Sequence, residues 1–273
     1  MPHTCPPRRR DGVSPARGAP QRRLRDVRIE SQTVGMIVER DVDCGIVYQR
    51  LRRRLVATVR SLDSDALEIT VPATPAWSVG DAVAHVVGIA HDLNAQRFDV
   101  ADPDEWTARQ VRERRDATID DLEVEWEHGA ARFEEGLRLM GYEVGSHFVG
   151  DLLHHAADIH HALGLERPHD EEAVAVGLDL YLDTCHQVLA AHERGSLGVQ
   201  ATDPPRERWT LGAGSEVATL EATRYELFRA LGGRRSQHQL RAMTWTGDVD
   251  AIAGTLTGYP PPIHDLIETS SIS

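Results

Sequence analysis

Residues 151–161 of the chain read Asp-Leu-Leu-His-His-Ala-Ala-Asp-Ile-His-His, with four histidines and two carboxylates within eleven positions. On an α-helix, Asp151 and His155 are four positions apart and project from the same face. A pair of this kind supplies half of a metal site. The best candidate for the other half is His85, in the segment 77–88, which reads Trp-Ser-Val-Gly-Asp-Ala-Val-Ala-His-Val-Val-Gly.

The composition favours closely packed helices and argues against nucleic-acid binding. The 273 residues are 41% hydrophobic but only 5% aromatic, so the core should consist mainly of Ala, Val and Leu. Such a core suits a helix bundle. Residues 1–35 carry a net charge of +5 and the remainder carries −18, within a total of −13. A body this acidic does not offer a nucleic-acid surface.

The basic N-terminal segment, residues 1–38, is interpreted as a disordered tail rich in proline and arginine. A nucleic-acid arm and a transit peptide are the alternatives, and Met36 is an alternative start of translation. The apolar runs are too short for a transmembrane helix, and the first residues lack the apolar stretch of a secretory signal.

The cysteines indicate a reducing, cytoplasmic environment. The chain has three isolated cysteines and no Cys-x-x-Cys motif. This pattern argues against a disulfide framework and against a cysteine-type zinc site. Cys44 and Cys185 are predicted to be small core residues and not nucleophiles.

Helical periodicity predicts a bundle over residues 39–194. Its helical stretches span residues 39–62, 79–98, 104–140, 147–163 and 170–194. Ser78 followed by Asp81 predicts an N-terminal cap for the second stretch, and Gly164 predicts the end of the fourth. The acids and arginines of 104–140 are interpreted as a solvated face.

The pattern changes after Gly195, where short strand-like segments replace long helices. Strands are predicted over 197–201, 208–211, 217–222 and 243–247, and helices over 224–231 and 249–258. A small α/β part, residues 195–262, therefore follows the bundle, and residues 263–273 are predicted to be a tail.

Helices in a bundle can bring ligands from facing surfaces to one metal ion. Catalytic zinc takes three nitrogen or oxygen ligands and keeps one position open, and His85, Asp151 and His155 satisfy that count. The spacing alone also allows the ordinary alternative, in which these histidines are surface residues or satisfied core residues.

Three segments, in this order, resemble the actinobacterial mycothiol-dependent maleylpyruvate isomerase family. They are Trp-Ser-Val-x-Asp-x3-His at 77–85, Asp-x3-His-x2-Asp-Ile-x2-Ala-Leu-Gly at 151–164, and Tyr-Glu-Leu-Phe-Arg-Ala-Leu-Gly-Gly-Arg-Arg-Ser at 225–236. The resemblance covers about residues 40–260. It implies an α+β fold, with an N-terminal four-helix, metal-binding bundle of the DinB/YfiT-like kind and a small α/β C-terminal domain.

The resemblance also implies the ligands. In that family a histidine of the tryptophan segment and a Glu-x3-His pair hold the metal, and by position these are His85, Asp151 and His155. Asp151 departs from the pattern, since the family usually has Glu there. Asp is one methylene shorter but supplies the same hard oxygen, so the departure bears on affinity and geometry more than on ligand identity.

Other residues receive weaker predictions. Asp158 either orients a metal ligand as an outer partner or forms a structural cap or salt bridge. Arg234 is the candidate for holding a substrate carboxylate, because the family has a functional arginine in its C-terminal domain. The alternative for Arg234 and Arg235 is a salt bridge to the acidic bundle. No role carries over to the remaining histidines, which are interpreted as surface residues or bystanders: His91, His154, His160 and His161. At helical spacing, His154, Asp158 and His161 share a face offset from that of the Asp151–His155 pair, and an alternative metal cluster there is the other interpretation.

The resemblance implies a metal-dependent, mycothiol-dependent isomerase or thiol transferase acting on a small electrophilic substrate that bears a carboxylate. Zinc is the expected metal, with nickel and similar divalent ions also suited to the ligands. Mycothiol would be the co-substrate. The alternatives are a non-catalytic metal- or ligand-binding protein linked to stress, and a metal-dependent hydrolase on the same bundle. No nucleic-acid or membrane partner is expected, and both a monomer and a homodimer fit the sequence.

Overall fold

The computed structural model describes residues 40–97, 102–257 and 259–269. All of them belong to one compact unit, residues 35–273. The predicted basic tail, residues 1–38, lies outside the described residues, as do Cys5 and Met36.

A four-helix bundle forms the body of the protein, as the sequence predicts. The helices before the sheet are α1 (Cys44–Val59), α2 (Ser64–Leu67), α3 (Val79–Asn94), α4 (Pro103–Glu113), α5 (Ile119–Met140), α6 (Tyr142–Ala162) and α7 (Glu171–His192). Helices α1, α3, α5 and α6 are the four members, because α1 and α3 each pack against both α5 and α6. Helix α4 lies on α3, and α7 packs on α6. In the described residues, no helix has the length and apolar character needed to cross a membrane.

Local capping explains where the long helices begin. The Ser78 hydroxyl accepts from the Asp81 backbone N–H and the Asp81 carboxylate accepts from the Ser78 N–H, which confirms the predicted cap of α3. Thr118 and Asp121 form the same reciprocal pair at the start of α5. This second capping box starts a new helix at residue 119, two turns of helix before Trp126.

The prediction of one helical stretch over 104–140 with a purely solvated polar face is wrong in two respects. The segment 114–118 separates α4 from α5, because the second capping box restarts the helix there. Several of its polar side chains are also buried, among them Gln110, Arg114 and Glu134. Helix α4 lies against α3, so its polar inner face is enclosed by protein.

A mixed four-stranded sheet follows the bundle and confirms the α+β class. Its strands are β1 (Ser196–Ala201), β2 (Arg208–Gly212), β3 (Glu216–Ala222) and β4 (Thr244–Gly247), in the order β2-β1-β3-β4. Strand β1 pairs antiparallel with β2 and parallel with β3, and β3 pairs antiparallel with β4.

Three short helices accompany the sheet: α8 (Arg224–Leu231), α9 (Gln237–Ala242) and α10 (Val249–Ile252). The predicted strands and α8 are confirmed, but α10 ends earlier than the predicted helix over 249–258. The sequence prediction missed α2 and α9, each of which is six residues or shorter. The division at residue 195 remains a prediction, since α7 packs on both β2 and α8.

The last described segment is packed and not a free tail. Residues 263–269 form no helix or strand, yet Leu266 is buried. The Glu268 carboxylate accepts from the Tyr225 hydroxyl at 2.8 Å and from Arg229 Nε at 2.8 Å. The Thr269 carbonyl accepts from the Arg167 backbone N–H at 3.1 Å. A buried apolar side chain and a buried carboxylate therefore hold this segment, which the polar composition of the terminus did not indicate.

Two glycines allow α6 and α7 to approach closely. A Cβ built on Gly177 would lie 3.1 Å from the Gly150 Cα and 2.7 Å from Cε2 of Phe228, which is fully buried. We expect Gly177→Ala to lower the free energy of unfolding by about 1–3 kcal/mol, because α6, α8 or both must shift to admit the methyl group. Urea denaturation measures the effect.

Gly136→Ala is the matched control for this prediction. Gly136 is also helical, but the nearest atom to its added Cβ is Met140 Cε at 3.9 Å. We expect this substitution to stabilise the protein by up to about 1 kcal/mol, the difference in helix propensity between Gly and Ala. Equal effects of the two substitutions would contradict the close approach of α6 and α7.

Candidate metal centre

Helices α3 and α6 bring His85, Asp151 and His155 together. One ligand atom from each residue lies within 4.8 Å of the other two. The imidazoles of His85 and His155 have ring centroids 4.8 Å apart at 76°. His155 Nε2 lies 3.6 Å from Asp151 Oδ1, as expected for residues one helical turn apart. Within the described residues, this is the one group of three such side chains close enough to hold a metal ion.

The protonation states of His85 and Asp151 suit a divalent metal. Burial, helped by the neighbouring His155, lowers the pKa of His85 to about 4, so that imidazole is neutral near pH 7. Burial alone would raise the pKa of Asp151, but the nearby imidazoles of His155, His85 and His147 outweigh it and lower that pKa. A neutral imidazole and an ionised carboxylate are the forms that bind metals.

The triad is buried on the side of the imidazoles and accessible to solvent at Asp151. The side chain of His155 is 7% exposed, whereas that of Asp151 is 30% exposed. The Trp77 ring covers the imidazoles, with its centroid 5.0 Å from that of His85 and 5.8 Å from that of His155. The backbone of Trp77 is fixed by hydrogen bonds with Val71 and Thr74 in the loop before α3. The donor set, its charge and its access from one side therefore fit a metal with an open position.

Asp158 lies on α6 one turn beyond His155 but is not turned toward that ligand. Its Oδ1 accepts from Arg229 Nη2 at 2.5 Å and its Oδ2 accepts from Arg234 Nε at 3.0 Å. Burial would raise the pKa of Asp158, but the charges of Arg234 and Arg229 outweigh it and lower that pKa. The contacts thus agree with the salt-bridge alternative for Asp158, and they give Arg234 the predicted salt bridge to the bundle.

The described hydrogen bonds of Arg234 engage only part of its guanidinium. Its described hydrogen bonds use Nε, with Asp158, and Nη1, with the Gly232 carbonyl at 3.4 Å. The side chain is 16% exposed. Burial raises the pKa of the Tyr259 hydroxyl, which also feels the charges of both Asp151 and Arg234. Tyr259 therefore lies close enough to both Arg234 and Asp151 of the triad to interact with their charges.

The prediction that His154 lies on the surface is wrong. His154 is 2% exposed and its ring stacks on Phe228, with centroids 4.0 Å apart. Burial and the charge of Arg229 hold its pKa well below the usual range, so Nδ1 accepts from Arg229 Nη1 at 2.7 Å. Helix α8 covers a second face of α6, which the histidine pattern did not indicate. A Cβ on Gly232 would collide with His154 Nε2.

The other histidines do not join the triad. His160 is half-buried, and its Nδ1 contacts the Glu166 carbonyl at 2.5 Å. His161 is also half-buried, so both residues lie partly at the surface. His91 pairs with Glu125 at 2.9 Å and lines a groove of about 530 Å³ between α3 and α5. That groove contains none of the triad, and the chemistry of the side chains favours the triad as the functional site.

Gln110 is a contact of the site that the sequence prediction missed. Its Oε1 lies 2.8 Å from His85 Nδ1, and the residue is fully buried. The one available signal is its place in α4: Trp106 and Gln110 are four positions apart in a helix otherwise rich in charge. That spacing marks an inner face.

A family model matches part of the chain. Residues 48–147 match the model described as the mycothiol maleylpyruvate isomerase N-terminal domain. The matched segment contains Trp77 and His85 and ends four residues before Asp151. No curated protein matches the chain.

Two solved structures are similar over much of the chain. A mycothiol-dependent maleylpyruvate isomerase is 15% identical, with a TM-score of 0.46 over 70% of this chain and 88% of that chain. A histidine-to-alanine mutant of mycothiol-dependent maleylpyruvate isomerase is 13% identical, with a TM-score of 0.45 and the same coverage. The resemblance to the mycothiol-dependent maleylpyruvate isomerase family is confirmed, with residues 48–147 carrying the match to its N-terminal domain.

Proposed function

We propose that this protein is a metal-dependent and thiol-dependent isomerase or thiol transferase, with mycothiol as co-substrate. The convergence of His85, Asp151 and His155 from two helices carries the proposal. The family match supports the thiol-dependent role, and the activity on a small electrophile rests on the same match.

The triad would hold a divalent metal, with zinc as the first candidate. A bound zinc ion with three protein ligands lowers the pKa of a thiol or water in its open position. His85 supplies a neutral nitrogen, His155 supplies a second ring nitrogen, and Asp151 supplies the oxygen on the exposed side. Trp77 excludes water from one side of the imidazoles.

The sulfur must come from outside the described part of the protein. Cys44 and Cys185 are both buried and free. Burial raises the pKa of Cys44 to about 11 and that of Cys185 to about 12, so neither offers a thiolate near pH 7. An external low-molecular-weight thiol is therefore the better nucleophile. We place its action in the reducing cytoplasm, where such thiols persist.

Two reactions fit this arrangement. In isomerisation, the thiolate adds to one carbon of a cis double bond, the resulting single bond rotates, and the thiolate leaves as the trans double bond forms. In transfer, a carbon–sulfur bond forms and a leaving group departs with the bonding electron pair. Arg234 would hold a substrate carboxylate through the part of its guanidinium that Asp158 does not use.

Metal analysis followed by a thiol assay tests the proposal. We expect purified protein loaded with zinc to convert a cis-unsaturated substrate such as maleylpyruvate in the presence of mycothiol. Removal of the metal with a chelator should abolish the reaction, and added zinc should restore it. Recovery of free mycothiol after turnover indicates isomerisation, whereas accumulation of a thioether indicates transfer.

Other outcomes would overturn the proposal. Failure of the purified protein to bind zinc or nickel would refute the proposed metal dependence. Metal binding without reaction of mycothiol with any electrophile would favour a non-catalytic binding protein. Thiol-independent cleavage of esters or amides by the metal-loaded protein would favour a hydrolase.

A further inference from the structure

We propose that Gln110 is a positioning residue of the metal centre, which holds His85 with Nε2 free to bind the ion. This inference rests on the proposed metal site and concerns a residue of α4, outside the triad. The hydrogen bond that carries it joins Gln110 Oε1 and His85 Nδ1 over 2.8 Å. Both residues are buried, Gln110 completely.

The orientation of the Gln110 amide follows from its other neighbour, Asp92. Gln110 Nε2 lies 3.4 Å from Asp92 Oδ2, and a carboxylate oxygen that pairs with an arginine accepts hydrogen bonds. Asp92 is fully buried and pairs with Arg109 at 3.2 Å. It also accepts from Trp106 Nε1 at 2.8 Å. The amide nitrogen of Gln110 must therefore face Asp92, and the amide oxygen must face His85.

This orientation fixes the tautomer of His85. Gln110 Oε1 can only accept, so His85 Nδ1 carries the proton and donates it. A neutral imidazole has one N–H, so Nε2 keeps its lone pair. Metal-binding histidines commonly donate their second ring nitrogen in this way, which orients the ring and strengthens the ligand.

The packing of α4 on α3 makes this contact specific. A Cβ on Gly88, one turn after His85, would lie 2.6 Å from the Gln110 Cβ. The Gln110 carbonyl accepts from Arg114 Nη1 at 3.0 Å, and Arg114 Nε donates to Glu125 of α5 at 3.0 Å. Gly88 thus permits the approach, and Arg114 ties the helix carrying Gln110 to α5.

The other imidazole ligand has no equivalent support. His155 Nδ1 is buried and has no hydrogen-bond partner within the part of the chain that the structure describes. Orientation of the ligands by hydrogen bonding therefore depends on Gln110 more than on any neighbour of His155. Without the Gln110 amide, neither imidazole would have a hydrogen bond from its Nδ1 to hold the orientation of the ring.

Two measurements test the role of Gln110. In metal-free protein, ¹⁵N-labelled histidine spectra should show His85 as the Nδ1–H tautomer, with its signals assigned by their loss in His85→Gln. In Gln110→Leu, we expect this preference to be lost and zinc to bind about 10–100-fold more weakly. Gln187→Leu is the matched control, since Gln187 is exposed on α7, and its zinc affinity should equal that of the wild type.

The outcomes separate this inference from the proposed function. An Nε2–H tautomer of His85 in the wild type would overturn the inference even if Gln110→Leu fails to fold. Unchanged zinc affinity in folded Gln110→Leu would overturn it while leaving the metal centre intact. Failure of the wild type to bind zinc would overturn the metal centre itself and the inference with it.

Discussion

Substitution of His155 by Ala is expected to weaken zinc binding by more than about 100-fold, because loss of an outer partner alone commonly costs 10–100-fold. His155 is one of the two proposed nitrogen ligands, and its ring also packs against His85 and Trp77. Two remaining ligands would leave the ion largely hydrated. We therefore expect thiol-dependent activity to be lost together with the metal.

Competition with a chromophoric chelator measures this affinity, and two controls sharpen it. His91→Ala removes a histidine from α3 that lies outside the triad, so its zinc affinity should equal that of the wild type. His85→Ala should resemble His155→Ala. Zinc affinity in His155→Ala within about threefold of the wild type, a difference below about 1 kcal/mol, would show that another residue completes the site.

Asp151 allows a test of the position where the family usually has Glu. Its side chain is 30% exposed, so an additional methylene can extend toward solvent without displacing core atoms. We expect Asp151→Glu to stay within about tenfold of wild-type zinc affinity, whereas Asp151→Ala should lose binding as His155→Ala does. A third variant, Asp151→Asn, keeps the shape of the side chain but loses its charge. Its zinc affinity therefore separates the contribution of the charge from that of the shape.

Much of the fold is predictable because it depends on local chemistry. Helical periodicity and the Ser78–Asp81 capping box locate α3, and the four-residue spacing of Asp151 and His155 places them on one face of α6. The pairing of α3 with α6 is a tertiary contact between residues seventy positions apart. Spacing alone could not predict that contact, and the family resemblance supplied it.

The surroundings of the site were not predictable, for a different reason. Helical spacing puts His154 and Asp158 on a face of α6 offset from that of Asp151 and His155, but nothing local indicates that α8 covers that face. Gln110 lies in a charged helix, and its four-residue spacing from Trp106 indicates an inner face but not the contact with His85 of α3. Buried polar contacts between distant elements depend on the packing and not on the pattern of either element.

Arg229 lies at the centre of another buried polar network of this kind. It is fully buried, and its guanidinium contacts Asp158, His154 Nδ1 and Glu268 at 2.5, 2.7 and 2.7 Å. These partners belong to α6 and to the last described segment, and Arg229 belongs to α8. One side chain therefore joins α6, which carries two of the proposed metal ligands, to two elements of the C-terminal part.

We expect Arg229→Met to lower the free energy of unfolding by about 3–5 kcal/mol, because removing one member of a buried ion-pair network leaves the carboxylates of Asp158 and Glu268 with only part of their counter-charge. Asp158 would keep only Arg234, and Glu268 would keep only Arg235 among its cationic partners. Urea denaturation of the metal-free protein measures the loss.

Arg241→Met is the matched control, since Arg241 forms an exposed ion pair with Asp250. Its effect should stay within about 0.5 kcal/mol, as for most surface substitutions. Below the unfolding transition, zinc affinity of Arg229→Met should remain close to that of the wild type, because Arg229 contacts none of the three proposed ligands. A large loss of zinc affinity with little loss of stability would instead indicate that Arg229 belongs to the metal centre. That result would contradict the assignment of Arg229 to a structural network distinct from the metal site on α6.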